Sequence, residues 1–164
     1  MKITAQKIPD LLLIEPNVYQ DERGFFLERF NQQKFEELKL PTNFVQDNHS
    51  YSKAGVLRGL HYQPGQGKLV GVTRGKIWDV AVDIRKGSST YGQYCGVELD
   101  GQKQNMFWVP DGFAHGFCVL GDQEADVLYK VTDFYDPKKE SGIAWDDPDL
   151  NVSWPIETPI VSDR

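Results

Sequence analysis

Short apolar runs separated by turn residues dominate the chain, and in most of them hydrophobic positions alternate instead of recurring every third or fourth place. Residues 11–14 (LLLI) and 25–27 (FFL) read as strands bracketing a turn at Asp21-Glu22-Arg23-Gly24. Residues 31–40 carry Phe35 and Leu38 among charged neighbours, the one helical pattern, with Asn31 as its cap and Pro41 as its stop. After that the period is two. Segments 68–73 and 76–84 flank Arg74-Gly75, which predicts a tight hairpin. In its second arm Trp78, Val80, Val82 and Ile84 share one face, and Ile77, Asp79, Ala81 and Asp83 the other. Further strands are predicted over 94–99, 104–109, 116–120 and 125–131. The tail after Asp146 is proline-rich and is expected to wrap the surface.

A chain of 164 residues suits one domain, 1–164, with a proper core. Fifteen glycines, nine prolines and a 12% aromatic share favour many short strands over long helices, hence a two-sheet sandwich or small barrel with a mouth for a ligand. The net charge of −6 leaves no nucleic-acid footprint, so an anionic ligand would need local arginine and lysine. The N-terminal segment holds only a four-residue apolar run, unlike a signal peptide, and no stretch approaches the ~18 apolar residues of a membrane span. Cys95 and Cys118 are expected to be reduced packing thiols, and the expected location is cytoplasmic.

The chemistry concentrates in Arg58-Gly59-Leu60-His61-Tyr62-Gln63. An arginine that can grip an anion at two points lies three residues from a histidine able to move protons near neutral pH. In a regular strand these two would diverge to opposite faces, unless Gly59 supplies a bend. A metal site of the cupin type needs an H-x-H pair, and His61 is followed by Tyr62 and Gln63, so only the later half, Pro110 to His115, is matched. His49, between Asn48 and Ser50, is as readily a buried, hydrogen-bonded side chain as a site residue. Lys68 alone reads as a solvated strand-end cation and Tyr129 as a half-buried strand residue. Arg23 and Glu28 alone read as surface charges. Phe25, Phe26, Phe107, Trp108, Phe113 and Phe117 are expected to be mostly core.

Taken together, DERGFFLERF (21–30), FVQDNHSYSKAGVLRGLHYQ (44–63), GKLVGVTRGKIWDVAVDIRKGSSTYG (67–92), FWVPDGFAHGFCVL (107–120), LYKVTDFYDPKKESGIAWDDP (128–148) and Trp154-Pro155 resemble the dTDP-4-dehydrorhamnose 3,5-epimerase family, metal-free members of the cupin superfamily. The resemblance implies a mainly β, cupin-type antiparallel jelly-roll barrel or sandwich with a few short peripheral helices. It implies no metal and no cofactor, a dTDP-4-keto-6-deoxy sugar as substrate, and a homodimer in which the segment of Arg23 and Glu28 crosses to the partner subunit. By the same resemblance His61 is the base, Tyr129 the acid on the opposite face, and Lys68 the stabiliser of the enolate oxygen. Arg23, Glu28, Gln46, Asp47, Asn48, Arg58, His115 and Glu140 match nucleotide-sugar contacts, Tyr135 an aromatic that stacks on thymine, and Arg164 a substrate-contacting lysine.

These roles suit the chemistry. Removing a proton beside a ketone leaves charge on the carbonyl oxygen; a fixed cation there contributes ~10²–10³ in rate and a positioned base ~10²–10⁴. The family orients its histidine with an aspartate in a C-terminal L-S-x-K/R-D string. Val161-Ser162-Asp163-Arg164 matches it up to that aspartate, so Asp163 or another carboxylate is expected to serve if the string goes no further. The alternatives are a mono-epimerase acting at C3 or C5 alone, a non-catalytic dTDP-sugar binding protein, and a metal-dependent cupin enzyme, which the missing H-x-H disfavours.

Overall fold

The period-two segments become strands in the computed structural model, which describes residues 1–162. These are β1 (Lys2–Ala5), β2 (Leu12–Glu15), β3 (Val18–Asp21), β4 (Gly24–Leu27), β5 (Gln46–Ser52), β6 (Leu57–Tyr62), β7 (Lys68–Arg74), β8 (Lys76–Asp83), β9 (Tyr94–Asp100), β10 (Met106–Val109), β11 (Phe113–Val119), β12 (Ala125–Val131) and β13 (Ser141–Gly142). A six-stranded sheet runs β1-β2-β10-β7-β12-β5, a five-stranded sheet runs β13-β6-β11-β8-β9, and β3 pairs with β4. Every ladder between these strands is antiparallel. The expected two-sheet β architecture is therefore present. The helical expectation reduces, among the described residues, to one element, α1 (Gln32–Glu37), capped by Asn31, whose side chain accepts from the Lys34 amide at 3.1 Å.

Alternation decides what each face meets. Val70, Val72, Phe107, Val109 and Val127 of the larger sheet pack against Ile77, Ala81, Val97, Leu99, Phe113 and Phe117 of the smaller one, forming the main core. Each such side chain contributes roughly 1.5–3 kcal/mol by leaving water. The opposite parity of β8, Trp78, Val80 and Val82, lies on the outer face, and the tail covers it with Leu150, Val152 and Trp154. On the outer face of the larger sheet, Leu69 and Met106 are covered by Phe35 of α1 and by Leu40. Cys95 and Cys118 are buried, free thiols, as expected.

Two connections differ from their prediction. Segments 68–74 and 76–83 do not form a hairpin: β7 sits between β10 and β12, whereas β8 sits between β11 and β9 in the other sheet. Only Gly75 separates them, one residue too few for a two-residue hairpin loop, so the chain turns a corner between sheets. Gly75 has φ +78°, and a Cβ there would lie 2.2 Å from the Glu124 carbonyl oxygen. Likewise β2 does not face β4 across the turn at 21–24; an intervening strand, β3, takes that place, and β2 pairs with β1 and β10. The β3–β4 hairpin carries Phe25 and Phe26 out into solvent, Phe26 at 71% exposure, so these two are not core. A cleft of about 580 Å³ opens on the outer face of the larger sheet, lined in part by Phe26, Leu27, Arg29, Met106 and Leu128.

Candidate active site

A bulge in β6 brings Arg58 and His61 to one face. Arg58 stands opposite Phe117 and His61 opposite His115, so three steps along β6 match two along β11. Directly opposed residues share a face, and Phe117 belongs to the main core, so both Arg58 and His61 point between the sheets while Leu60 points outward. Gly59 makes this possible with φ +124°, and a Cβ there would come 2.5 Å from Gly116 Cα. Arg58 then reaches the edge of the larger sheet: its Nε donates to Ser52 Oγ at 2.9 Å and its Nη2 to the Tyr51 carbonyl at 3.1 Å.

The facing wall comes from β7, β12 and β5. Lys68 and Tyr129 share the inward parity of Val70 and Val127, and Tyr129 stands opposite Asn48 and Val131 opposite Gln46. Lys68 is only 8% exposed, and burial brings its ammonium down from 10.5 to about 8, against the opposing pull of the Glu140 and Asp111 carboxylates. It is thus a sequestered cation and not a solvated strand end. Burial also pushes the Tyr129 phenol up, while the nearby Arg58 guanidinium draws it down and Glu140 adds to the rise.

Glu140 ties the two walls together. The short β13 pairs with β6 so that Gly142 faces His61, which brings Glu140 Oε1 to 4.0 Å from His61 Nδ1. Its other oxygen accepts from the Tyr135 hydroxyl at 2.9 Å. The loop bearing Tyr135 hangs on two glutamines: the Tyr135 amide donates to Gln46 Oε1 at 3.0 Å, the Asp136 amide donates to Gln63 Oε1 at 2.9 Å, and Gln63 Nε2 donates to the Phe134 carbonyl at 2.8 Å. Gln63 is buried and was given no role from sequence, although it lies two residues beyond His61, just past the end of β6. Asp79 was also missed as a site residue, although its inward parity was legible. It is fully buried, and His115 Nε2 lies 2.8 and 3.0 Å from its two oxygens.

The structure thus gathers Gln46, Asn48, Arg58, His61, Lys68, His115, Tyr129, Tyr135 and Glu140 around the space between the sheets. It leaves others elsewhere. Arg23 lies on the β3–β4 turn, ion-paired to Asp21 at 2.5 Å, and Glu28 pairs with Lys34 at 2.7 Å. Asp47 has the outward parity and pairs with Lys130 at 2.7 Å. His49 also points outward, exposed and paired to Asp126 at 2.8 Å, so it is not a buried histidine. Arg164 and Asp163 lie outside the described residues. Among the described residues, no three of His, Cys, Asp or Glu converge as a metal-ligand set. No helix among the described residues is long and apolar enough to cross a membrane.

The family model described as dTDP-4-dehydrorhamnose 3,5-epimerase matches residues 5–164. The chain is 52% identical to the dTDP-4-dehydrorhamnose 3,5-epimerase of Shigella flexneri, over 100% of this chain and 92% of that protein. A Legionella pneumophila dTDP-6-deoxy-D-glucose-3,5-epimerase, solved with dTDP-4-keto-L-rhamnose, superposes with a TM-score of 0.94 at 51% identity, covering 99% of this chain and 88% of the other. A dTDP-4-dehydrorhamnose 3-epimerase from Streptomyces niveus is 38% identical over 100% of this chain and 81% of its own length.

Proposed function

Since the chain belongs to the dTDP-4-dehydrorhamnose 3,5-epimerase family, we propose that it inverts C3 and C5 of dTDP-4-dehydro-6-deoxy-D-glucose to give dTDP-4-dehydro-L-rhamnose. The C4 ketone acidifies the hydrogens on both neighbouring carbons. His61 removes one of them; the C–H electron pair moves into the C–C bond, and the carbonyl π pair moves onto oxygen. Lys68 faces that oxygen as an ammonium. Tyr129, on the opposite wall, then gives its phenolic proton to carbon from the other side, the C=O re-forms, and solvent restores both groups before the second carbon reacts.

The observation that carries this reading is the placement of Glu140. One carboxylate lies 4.0 Å from His61 Nδ1 and perturbs both Lys68 and Tyr129, so base, cation and acid line a common space, with His61 on one sheet and the other two on the facing one. Tyr129 is a phenol at neutral pH, as a proton donor must be, burial pushes it further up, and Arg58 steadies the phenolate left behind. Arg58 supplies a fork for the diphosphate and Tyr135 a ring for the base. The relatives of about 50% identity carry the 3,5-epimerase name, and the 3-epimerase relative stands lower, which favours double over single inversion.

The molecule works as a homodimer in this reading. The exposed β3–β4 hairpin, with Tyr19, Phe25 and Phe26 on it, offers apolar surface for a second copy and would carry Arg23 to that copy's site. Incubation with substrate in heavy water tests the reaction: two deuterium atoms retained per product sugar support it, one supports mono-epimerisation, and none with tight dTDP-sugar binding leaves a binding protein. His61→Ala should abolish exchange, whereas Tyr129→Phe should retain exchange and lose inversion.

A further inference from the structure

Asp79 is a charged-type side chain with no exposure, placed on the inner face of β8 beside the cavity that the proposed chemistry uses. Burying a carboxylate without a partner costs several kcal/mol. Among the described residues, the hydrogen bonds to it come from one group, His115 Nε2, at 2.8 and 3.0 Å. His115 in turn is the cross-strand partner of His61. A buried acid therefore acts on an imidazole that stands directly beside the proposed base. Ala81, which lies between Asp79 and Asp83 on the same face, belongs to the apolar core, so the strand otherwise supplies hydrocarbon here.

We propose that Asp79 is a positioning residue for the epimerisation: its carboxylate holds a proton on His115 Nε2 and fixes the ring plane, so that Nδ1 is the nitrogen turned to the bound hexose. An ionised carboxylate can only accept, so in that state the nitrogen 2.8 Å away carries the hydrogen. The other ring nitrogen is then defined as well: a lone pair in the neutral imidazole, able to accept from a sugar hydroxyl. Without the carboxylate, an imidazole samples both tautomers and rotates about its side-chain bonds, so a hydroxyl meets a donor as often as an acceptor. Burial pushes the Asp79 carboxyl up while His115 draws it back down.

The inference rests on the proposed epimerase reading, and two measurements separate their fates. The first is the nitrogen spectrum of His115 in the unliganded, nitrogen-15-labelled protein, at a pH where the imidazole is neutral. A single Nε2–H tautomer is expected, with Asp79→Asn giving a mixture or the reverse tautomer. A mixture in the unaltered protein overturns the proposal whatever the enzyme does, and if Asp79→Asn does not fold, this spectrum alone decides. The second is a double-mutant cycle on turnover. Asp79→Asn should lower kcat about 10–100-fold with KM changed less than about threefold, and in a His115→Ala background it should lower kcat no further. Additive losses would show that Asp79 does not act through His115. Absence of solvent exchange in the unaltered protein would sink the epimerase reading and leave the tautomer result standing.

Discussion

Lys68→Met should make the protein more stable and less active at the same time, and the structure gives the size of the first effect. The Lys68 ammonium is 8% exposed, and burial brings it from 10.5 to about 8 even though Glu140 and Asp111 pull the other way. At about 1.4 kcal/mol for each tenfold change in acidity, keeping it charged in that place costs the folded state about 3 kcal/mol at pH 7. A methionine of similar length carries no such cost. Urea unfolding at pH 7 should therefore give the variant a higher midpoint at unchanged slope, a gain of about 3 kcal/mol as an upper value, while epimerase turnover falls ~10²–10³-fold. The pH dependence is the sharper test. Between pH about 8 and 10.5 the unfolded chain holds a proton on this lysine that the folded protein has released, so the native enzyme gains stability as pH rises and the gap to the variant closes. Other titrating groups cancel in the difference. A variant no more stable at pH 7, or a gap that stays constant to pH 10.5, would refute the argument.

Asp83 is expected to work in the opposite pH range. Burial raises its carboxyl, but donors from Arg85, Thr90 and Ser88 outweigh that and hold it well below the ordinary carboxylate range, so its stabilisation is present at neutral pH and fades as acid protonates it. Asp83→Asn should cost about 2–4 kcal/mol in urea unfolding at pH 7, a cost that starts to shrink as pH falls through about 4, where the unfolded aspartate protonates, and vanishes only in much stronger acid. Phe26→Asp, at a hairpin position 71% exposed, should leave the monomer folded by circular dichroism yet move the light-scattering mass from dimer to monomer and lower turnover. A dimer that survives with full activity would place the interface elsewhere.

Much of this was legible in the sequence, for reasons that differ by feature. The inward and outward sets of β8 followed from alternation alone, because a core on one side and a tail on the other need only period two. The Asn31 cap was legible from local chemistry. The corner at Gly75 was not: a turn signal says that the chain bends, and which ladder receives the next strand is decided by distant partners such as β11 and β12. Phe25 and Phe26 misled because hydrophobicity does not distinguish a core residue from one carried out on an exposed hairpin. Lys68 was undervalued since burial of a cation is a tertiary fact. The sheets also account for Gly59, whose bend lets Arg58 and His61 share a face, and for Glu140, whose reach depends on the pairing of β13 with β6.

That extra residue in β6 has a lasting consequence for how this strand tolerates change. Upstream and downstream of it the backbone runs in two different phases, each locked to its own neighbours, and position 59 is where they meet. A one-residue deletion there would heal the ladder and leave Arg58 two positions from His61, so the guanidinium would keep the inward side without the bend. What the spot cannot take is a side chain, because a Cβ at position 59 would collide with Gly116.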